Sequence, residues 1–362
     1  MTPIFATMEN EFSSLLLGWY RHHKRDLPWR RTKDPYKIWL SEVILQQTRV
    51  SQGLPYYERF IARYPSVDIL AAQSLEEVLF MWQGLGYYSR ARNMLSTAQE
   101  ITADYGGRFP GSYHELRSLK GIGDYTAAAI ASFAFDEVVP VVDGNVYRLL
   151  SRYTGLDTSI NSTAGKKGFA ALARDLISKD QPATFNQAIM EYGSMVCTYR
   201  QPRCEACIVS ASCYALREKA QSRLPVKKSS KGSRSRYLNY LLPANTSFYF
   251  LKQRKSKDIW QGLYDFPVFE TNEALGVSEF IKHTSLHELC HHEGVVFHRV
   301  TRDKHILSHQ VIYASFWHIS TCGNVLPWGP DSFSVLEEDL VKYAMPRLIT
   351  RFFEASNRSC PV

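Results

Sequence analysis

The stretch LKGIGDYTAAAI, residues 119–130, places two glycines directly before an alanine-rich run. The glycines predict a tight turn, and the alanines predict a helix that begins directly after Gly123. The first turn of a helix leaves backbone N–H groups without partners inside the helix, and such groups bind phosphate well. We therefore expect Gly121 and Gly123 to form a phosphate-binding turn, with Tyr125 beside it.

The spacing of apolar residues divides the chain into two parts of different secondary structure. From residue 9 to about 216 they recur every three or four positions, which predicts helices, with VVPVV at 138–142 as the only strand candidate. Residues 218–236 are basic and serine-rich, which is typical of a linker. Residues 237–362 contain alternating and aromatic stretches that predict strands. We expect a multidomain protein with an all-α domain at 1–217, a linker, and an α+β domain at 237–362.

Composition agrees with more than one domain and favours an anionic partner. The chain has 362 residues, too many for one ordinary core, and 43 Lys and Arg against 35 Asp and Glu give a net charge of +8. Such a balance favours nucleic acid or a membrane surface. The first twenty residues have neither a signal-peptide pattern nor a membrane span, so we expect a cytoplasmic, reduced protein.

Four of the seven cysteines lie within residues 197–213, with the spacing C-x6-C-x2-C-x5-C. In a reduced protein such a cluster indicates metal rather than disulfides. Structural zinc more often uses two short pairs, and only one is present, so the spacing favours a [4Fe–4S] cluster over zinc or unrelated buried cysteines. Arg200 and Arg203 in the same loop could contact a phosphate backbone. The candidate ligands are Cys197, Cys204, Cys207 and Cys213.

The segment LKGIGDYTA, followed after a helix by VVPVVDGNV, resembles the helix–hairpin–helix and the Gly/Pro-rich loop with its aspartate in the endonuclease III superfamily of DNA glycosylases. With the cysteine loop, the resemblance covers residues 10–216. It implies that Gly121 and Gly123 hold a DNA phosphate and that Asp143 is catalytic. Asp143 also stands where a helix N-cap belongs, so we expect backbone N–H groups to keep it ionised.

Tyr125 indicates the type of reaction. Bifunctional members of the superfamily carry a lysine at the second position after the last glycine of the hairpin, and that amine attacks the sugar. A phenol cannot form an imine, so Tyr125 predicts an enzyme that removes the base and leaves the strand intact. We expect its hydroxyl to bond at the reacting sugar or at Asp143. The alternative is a bifunctional glycosylase and lyase.

A second segment, LPWRRTKDPYKIWLSEVILQQTRV at 27–50, resembles the MutY family of adenine DNA glycosylases. The resemblance implies removal of adenine mispaired with 8-oxoguanine or guanine in double-stranded DNA. Glu42 is the one acid within IWLSEVIL, where burial should raise its pKa. A protonated Glu42 would donate to N7 of adenine, and an anionic Asp143 would stabilise the oxocarbenium ion. Without the resemblance, we would interpret Glu42 as a residue on the surface of a helix.

The target base must leave the duplex before it can react. The resemblance implies that Gln47 and Tyr87 are wedge residues that fill its space, whereas Tyr88 shares that role or belongs to the core. It also implies a DNA contact by Thr48. The residues expected in the adenine pocket are Trp29, Arg30 and Gln187. We expect the protein to act as a monomer without a membrane partner.

The segment IWQGLYDFP at 259–267 resembles the Nudix-like C-terminal domain of the same family. No Nudix box of closely spaced glutamates is found, so pyrophosphate hydrolysis is not expected. Most relatives carry Phe-Ser-His in the loop that reads 8-oxoguanine, and this chain has Leu307, Ser308 and His309. The two polar residues are kept and the aromatic contact is lost.

Two further readings are weaker. The pattern HELCH, from His287 to His291, matches a zinc-protease motif with Glu288 as the base, but we interpret it as an incidental histidine cluster. A catalytically idle iron–sulfur protein that only binds DNA is disfavoured by the presence of both Glu42 and Asp143.

Overall fold

The computed structural model describes residues 3–228, 232–244, 246–286, 295–321 and 331–355, apart from the side chains of residues 3–10 and 321. The chain packs as two compact units. Unit 1 comprises Met1–Ala72 and Ser96–Ser230, and unit 2 comprises Gln73–Leu95 and Lys231–Val362. The domain boundaries at 217 and 237 stay predictions, and the structure adds the segment 73–95 to the second unit.

Unit 1 is built from helices, as the hydrophobic spacing predicts. The run at 138–142 is extended but forms no strand. Short 3-10 helices lie at Pro28–Arg30 and Ser210–Ser212. Across the described part of the chain, no helix combines the length and apolar character that a membrane-spanning segment needs. The α-helices, including α6, which begins in unit 2, are α1 (Pro3–His23), α2 (Pro35–Leu45), α3 (Val50–Arg63), α4 (Val67–Ala71), α6 (Ser89–Tyr105), α7 (Tyr113–Ser118), α8 (Asp124–Phe135), α9 (Gly144–Thr154), α10 (Thr163–Leu176), α11 (Pro182–Met195) and α12 (Tyr214–Arg217).

The predicted hairpin joins α7 to α8. Gly121 has φ of 85°, a left-handed conformation that favours glycine, and the backbone N–H of Ile122 donates to Leu119 O at 3.2 Å. Ile122 is buried, whereas Gly121 and Gly123 are exposed. The turn therefore presents the N-terminus of α8 at the surface of unit 1.

The main core of unit 1 lies among α1, α9, α10 and α11. Its apolar residues follow helical spacing on each of these helices, so one face of each is removed from water. A second contact joins α2 to α8, and residues 127–129 and 131 of α8 are buried alanines whose small size allows close packing. Fully buried members of the main core include Leu16, Leu150, Phe169, Ile189 and Tyr192.

The segment 218–236, predicted as a linker, is ordered at both ends. Ala220 and Leu224 are buried in a small cluster with α12, and the N–H of Ile160 donates to Val226 O at 3.0 Å. The last residues of the segment already belong to the first strand of unit 2. These described residues of the predicted linker therefore belong to the two units.

Unit 2 contains two sheets, as the alternating patterns predict. The first has the order β4-β1-β6-β5, in which β1 is parallel to β6 and the other pairs are antiparallel. The second is antiparallel, with the order β3-β2-β7. The elements are α5 (Leu75–Trp82), β1 (Arg234–Pro243), β2 (Phe248–Gln253), β3 (Tyr264–Asp265), β4 (Val268–Thr271), α13 (Val277–Ile281), β5 (Val295–Ile306), β6 (Gln310–Thr321), β7 (Phe333–Leu336), a 3-10 helix (Glu337–Lys342) and α14 (Arg347–Ala355).

The segment 73–95 joins unit 2 through side-chain contacts. Tyr264 donates to Glu76 Oε1 at 2.8 Å, and Arg92 donates to the backbone oxygen of Gln261 at 2.8 Å. These partners are 188 and 169 residues apart in sequence, so no local pattern could reveal them.

Leu16→Ala should lower the free energy of unfolding by about 2–5 kcal/mol, because its fully buried side chain belongs to the main core. The neighbouring Leu15 is 38% exposed, and Leu15→Ala should change stability by less than about 0.5 kcal/mol. Urea unfolding followed by circular dichroism at 222 nm measures both variants. Equal effects of the two substitutions would contradict the assignment of this helix face to the core.

Candidate active site

A cavity of about 440 Å³ in unit 1 brings together the two carboxylates singled out in the sequence. Glu42 comes from α2, and Asp143 comes from the residue before α9. Tyr125 reaches the same cavity from the first turn of α8. Its further lining includes Arg25, Leu27, Trp29, Arg30, Thr48, Asn145, Gln187, Met190, Glu191 and Ser194.

Glu42 is a buried acid with one hydrogen-bond donor. The helix α2 is buried over most of its length, and Glu42 is only 8% exposed. The Tyr125 hydroxyl donates to Glu42 Oε2 at 2.7 Å. Burial raises the pKa of Glu42 to about 7, with a further rise from the Asp143 charge, whereas the Tyr125 hydrogen bond and the Arg30 charge act in the opposite direction. A carboxyl group with that pKa can give up a proton near neutral pH.

Asp143 is the N-cap of α9, as its place in the sequence predicts. Its Oδ1 accepts from the backbone N–H groups of Asn145 at 2.9 Å and Val146 at 2.8 Å, and its Oδ2 accepts from the Asn145 side chain at 2.6 Å. Burial nevertheless raises the pKa of Asp143 above its usual value and outweighs these three bonds. The expected N–H bonds are present and favour the carboxylate, while the burial that opposes them was not expected.

Tyr125 differs from expectation in its partner. Its hydroxyl was expected at the reacting sugar or at Asp143, and it donates to Glu42 instead. Burial raises the pKa of Tyr125 well above its usual value, so the phenol stays protonated and keeps its donor role.

The far wall of the cavity combines the expected residues Trp29, Arg30 and Gln187 with two that the sequence did not reveal, Arg25 and Glu191. Gln187 and Glu191 are one turn apart on α11, and both line the cavity. The Tyr20 hydroxyl donates to Gln187 Oε1 at 2.7 Å. Glu191 is paired with Arg25 and Arg30, at 2.6 and 2.8 Å. Trp29 closes part of the wall on the 3-10 helix that also carries Arg30.

A second cavity, of about 720 Å³, lies over the hairpin and shares Glu42, Tyr125 and Asp143 with the first. Gly121, Gly123 and Gln47 line it. Gln47 has φ of 56°, a left-handed conformation that is costly for a residue other than glycine. The predicted phosphate turn and one predicted wedge residue therefore border the same opening as the two carboxylates.

The other wedge candidate lies in unit 2. Tyr87 follows Gly86 in the loop between α5 and α6, has φ of 48° and is 42% exposed. Tyr88 is buried, and its hydroxyl donates to Met345 O at 3.4 Å. Tyr88 therefore belongs to the core, and Tyr87 is available at the surface of its unit.

Leu307, Ser308 and His309 form the turn between β5 and β6. The N–H of Leu307 donates to Gln310 O at 2.9 Å, and the N–H of Arg234 donates to His309 O at 3.2 Å. Ser308 and His309 are exposed, with Ser308 Oγ 3.1 Å from His309 Nδ1. The backbone bonds fix the turn while the two polar side chains remain accessible.

The four cysteines of the loop line one small cavity in unit 1 and form no disulfide. Among the described residues, no group of three or more His, Cys, Asp or Glu side chains is arranged to hold a metal ion. Arg152 Nη1 lies 3.5 Å from Cys197 Sγ, and Tyr192 donates to Cys207 Sγ at 3.2 Å. The sulfur atoms thus share one largely apolar space with nearby N–H and O–H donors.

Arg152 is a further residue that sequence reasoning missed. Its buried guanidinium donates to the backbone oxygens of Thr198 at 2.7 Å, Tyr199 at 3.0 Å and Gln221 at 3.0 Å. These bonds attach the cysteine loop and the following segment to α9. The protease-like pattern His287–His291 lies outside the described residues.

Comparison with known proteins identifies both halves of the chain. Residues 40–173 match the HhH-GPD superfamily of base excision DNA repair proteins, and residues 240–355 match the NUDIX domain family. An adenine DNA glycosylase of Buchnera aphidicola subsp. Schizaphis graminum is 34% identical over 261 residues, which covers 72% of this chain and 75% of that protein. An adenine DNA glycosylase of Mus musculus is 44% identical over 213 residues, 56% of this chain and 41% of that protein.

The chain belongs to the adenine DNA glycosylase family. Among solved structures, a thermostable thymine-DNA glycosylase is similar with a TM-score of 0.55 at 29% identity, covering 58% of this chain and 97% of its own. The resemblance and the fold class expected from the sequence are confirmed: a helical glycosylase domain and a Nudix-like domain with strands. The protein is a base-excision-repair enzyme that cleaves N-glycosyl bonds in DNA.

The raised pKa of Glu42 in this glycosylase has a consequence for stability. Between about pH 4.5 and pH 7 the folded protein holds a proton that the unfolded chain releases, so the free energy of unfolding falls as the pH rises. The difference between the two pKa values corresponds to roughly 3 kcal/mol. Glu42→Gln cannot titrate and should lack this contribution. Urea unfolding of both proteins across this range measures it, and a pH-independent difference between them would contradict the assigned pKa.

Proposed function

We propose that this enzyme removes adenine opposite 8-oxoguanine or guanine in duplex DNA, by hydrolysis that leaves the DNA strand intact. The observation that carries the proposal is the Glu42 carboxyl group, which is buried, has a pKa of about 7 and faces one cavity with Asp143. Glu42 gives its proton to N7 of adenine, and the bond from N9 to the sugar breaks with its electrons going to the base. Water then adds to the sugar carbon and releases a proton.

Asp143 serves the other half of this reaction. Its carboxylate lies in the same cavity, so it is available to stabilise positive charge on the sugar. The bonds from Asn145 and Val146 fix its orientation. Tyr125 holds Glu42 in place by its hydrogen bond and is assigned a catalytic position beside the sugar.

A strand-cleaving lyase, the alternative, needs an amine at the sugar. Tyr125 occupies the position at which bifunctional relatives are expected to carry lysine. Among the described residues that line the two cavities, one is a lysine, Lys166 on α10, which borders the hairpin cavity and not the first cavity. This distribution supports a monofunctional reaction.

DNA binding is assigned to residues of each unit, the surface around these cavities in unit 1 and Tyr87 in unit 2. Gly121 and Gly123 offer backbone N–H groups to a phosphate at the start of α8. Gln47 and Tyr87 are assigned as wedges, and their left-handed backbone conformations are the kind of strain that functional positions retain. Thr48 is assigned a DNA contact. Trp29, Arg30 and Gln187 are assigned to the adenine pocket, which they line.

The turn in the Nudix-like unit is assigned to reading the opposite base. Ser308 and His309 are exposed donors and acceptors on a turn that backbone bonds hold in place. Leu307 replaces the family's phenylalanine, so the contact with the lesion is weaker on its apolar side. The partner is double-stranded DNA, and the enzyme acts as a monomer.

The cysteine loop is assigned a [4Fe–4S] cluster. Its four sulfur atoms line one apolar cavity, form no disulfide and have Arg152 close to Cys197, which suits thiolate ligands. Such a cluster supplies a fixed centre that orders the loop and its cations, Arg200 and Arg203. The ligands are Cys197, Cys204, Cys207 and Cys213.

Glu42→Gln should retain binding to duplex DNA that contains the mispair but lose excision by roughly 10²–10⁴-fold, because an amide cannot supply the proton. Single-turnover assays with adenine opposite 8-oxoguanine, guanine or thymine measure the loss, with Asp136→Asn as a control acid outside both cavities. The wild-type product should break only after alkali. Alkali-independent scission would reject the monofunctional assignment, and excision by Glu42→Gln at the wild-type rate would remove Glu42 from the mechanism.

Iron should be present at about four atoms per chain in anaerobically purified protein, which should be brown. Cys204→Ala should lower both the iron content and the affinity for DNA, because the loop loses one ligand. Cys290→Ala, outside the loop, provides the matched control. Stoichiometric zinc without iron would overturn the assignment.

The double substitution Ser308→Ala and His309→Ala should slow excision of adenine opposite 8-oxoguanine more than opposite guanine. Loss of each hydrogen bond is expected to cost roughly 0.5–1.5 kcal/mol. Rates on the two duplexes, compared with those of the control Ile306→Ala at an exposed residue of the preceding strand, measure the difference. Equal losses on both duplexes would show that these two side chains do not discriminate.

A further inference from the structure

Glu191 is a buried acid in the cavity wall that the proposed chemistry does not use. It lies on α11, and its side chain is 1% exposed. Residues 187, 190, 191 and 194 of this helix all line the cavity, a spacing that places them on one helix face. Glu191 therefore belongs to the base-pocket side of α11, although it gives no proton in the reaction.

Two arginines converge on this one carboxylate. Arg25 donates to Glu191 from its backbone N–H at 3.1 Å, from Nε at 2.8 Å and from Nη2 at 2.6 Å. Arg30 donates from Nη1 at 3.0 Å and from Nη2 at 2.8 Å. Paired bonds of this kind fix the plane of a guanidinium group as well as its position.

The bonds leave donors on Arg30 for a ligand. A guanidinium has five N–H groups, and in the described part of the chain Arg30 uses two on Glu191 and one on Arg25 O, at 3.2 Å. The N–H of Nε and one N–H of Nη2 remain. The guanidinium also lies 5.7 Å from the centroid of the Tyr20 ring, which limits its movement on a second side.

Stability alone is a weak reason for this arrangement. Replacing a buried ion pair by apolar residues is often neutral or stabilising, so a buried pair does not by itself indicate a folding role. The packing of α11 is already provided by Ile189, Tyr192 and Phe185 in the main core. Both arginines line the cavity, so their orientation bears directly on what the cavity recognises.

We propose that Glu191 is a positioning residue for base recognition, holding Arg30 so that its remaining N–H groups donate to an acceptor nitrogen, N1 or N3, in the six-membered ring of adenine. This inference rests on the function proposed above. Guanine carries an N–H₂ donor next to this part of its ring, which a fixed guanidinium repels. The Tyr20 hydroxyl restrains Gln187 in the same wall, so the pocket presents several donors in fixed positions.

The test uses duplexes in which adenine is replaced by 1-deazaadenine or 3-deazaadenine, each opposite guanine. Each analogue exchanges one ring nitrogen for C–H and removes one acceptor. Single-turnover rates give the preference for adenine over each analogue, for the wild type, Glu191→Gln and the control Asp136→Asn. The intrinsic reactivity of each base is the same for every protein, so it cancels when these preferences are compared.

We expect Glu191→Gln to lower the preference for adenine over one analogue by roughly 10-fold or more, as loss of a hydrogen bond to a charged group implies. Asp136→Asn should leave it unchanged. Equal slowing of all three substrates in Glu191→Gln would assign Glu191 a merely structural role and overturn the proposal. If the wild type excises adenine and every variant keeps the wild-type preference for adenine over the analogues, only this inference is rejected.

Circular dichroism shows whether Glu191→Gln folds. If it does not, Arg30→Gln provides the test instead. Arg30→Gln should lower the same preference, and adding Glu191→Gln to it should lower that preference no further, since Glu191 acts through Arg30. An unchanged preference in Arg30→Gln would overturn the proposal. A wild-type enzyme that does not excise adenine at all would instead overturn the proposed function.

Discussion

Burial of the Glu42 carboxyl group is the constraint around which unit 1 is organised. An acid inside an apolar helix must be neutral or well hydrogen-bonded, because desolvation of the charge is costly. The single bond from Tyr125 requires the first turn of α8 to lie against α2. The small alanines of α8 permit that approach. The glycine turn before α8 then emerges beside the cavity, so one packing contact places both the acid and the proposed phosphate site.

Much of this architecture was predictable because its signals are local. Glycine spacing indicates the hairpin, apolar spacing indicates the helices, and Asp143 before a helix indicates an N-cap. Contacts between segments that are far apart in the sequence produce no such local pattern. The segment 73–95 joins unit 2 through partners far away in sequence, and the start of the basic segment 218–236 is held by buried Ala220 and Leu224. The basic composition of the segment 218–236 indicates that it is exposed to solvent, but it does not reveal the burial of these two residues.

In the candidate active site, too, the sequence revealed the residues with local signals and not those with distant partners. Glu42 stood out because it is a lone acid in an apolar run, and its pKa shifts in the expected direction. For Asp143 the sequence identified the N–H donors but not the depth of burial, which raises its pKa against those bonds. No local sequence pattern singled out Glu191 or Arg152. The partners of Glu191 lie 161 and 166 residues away, and a charged residue on a helix ordinarily indicates a solvent-facing side.

Glu42 and Glu191 are two buried glutamates of the same cavity whose pKa values shift in opposite directions, because their hydrogen-bond partners differ. Burial raises the pKa of both, and for Glu42 it prevails, since one phenol from Tyr125 cannot offset it. For Glu191 the bonds from Arg25 and Arg30 outweigh burial and lower the pKa to about 2. Arg30 is engaged by Glu191 and is the smallest of the four influences on the pKa of Glu42. A direct pair between Arg30 and Glu42 would stabilise the anion and remove the proton that the reaction needs. The number and charge of the donors therefore decide which buried glutamate is an anion on α11 and which keeps a proton on α2.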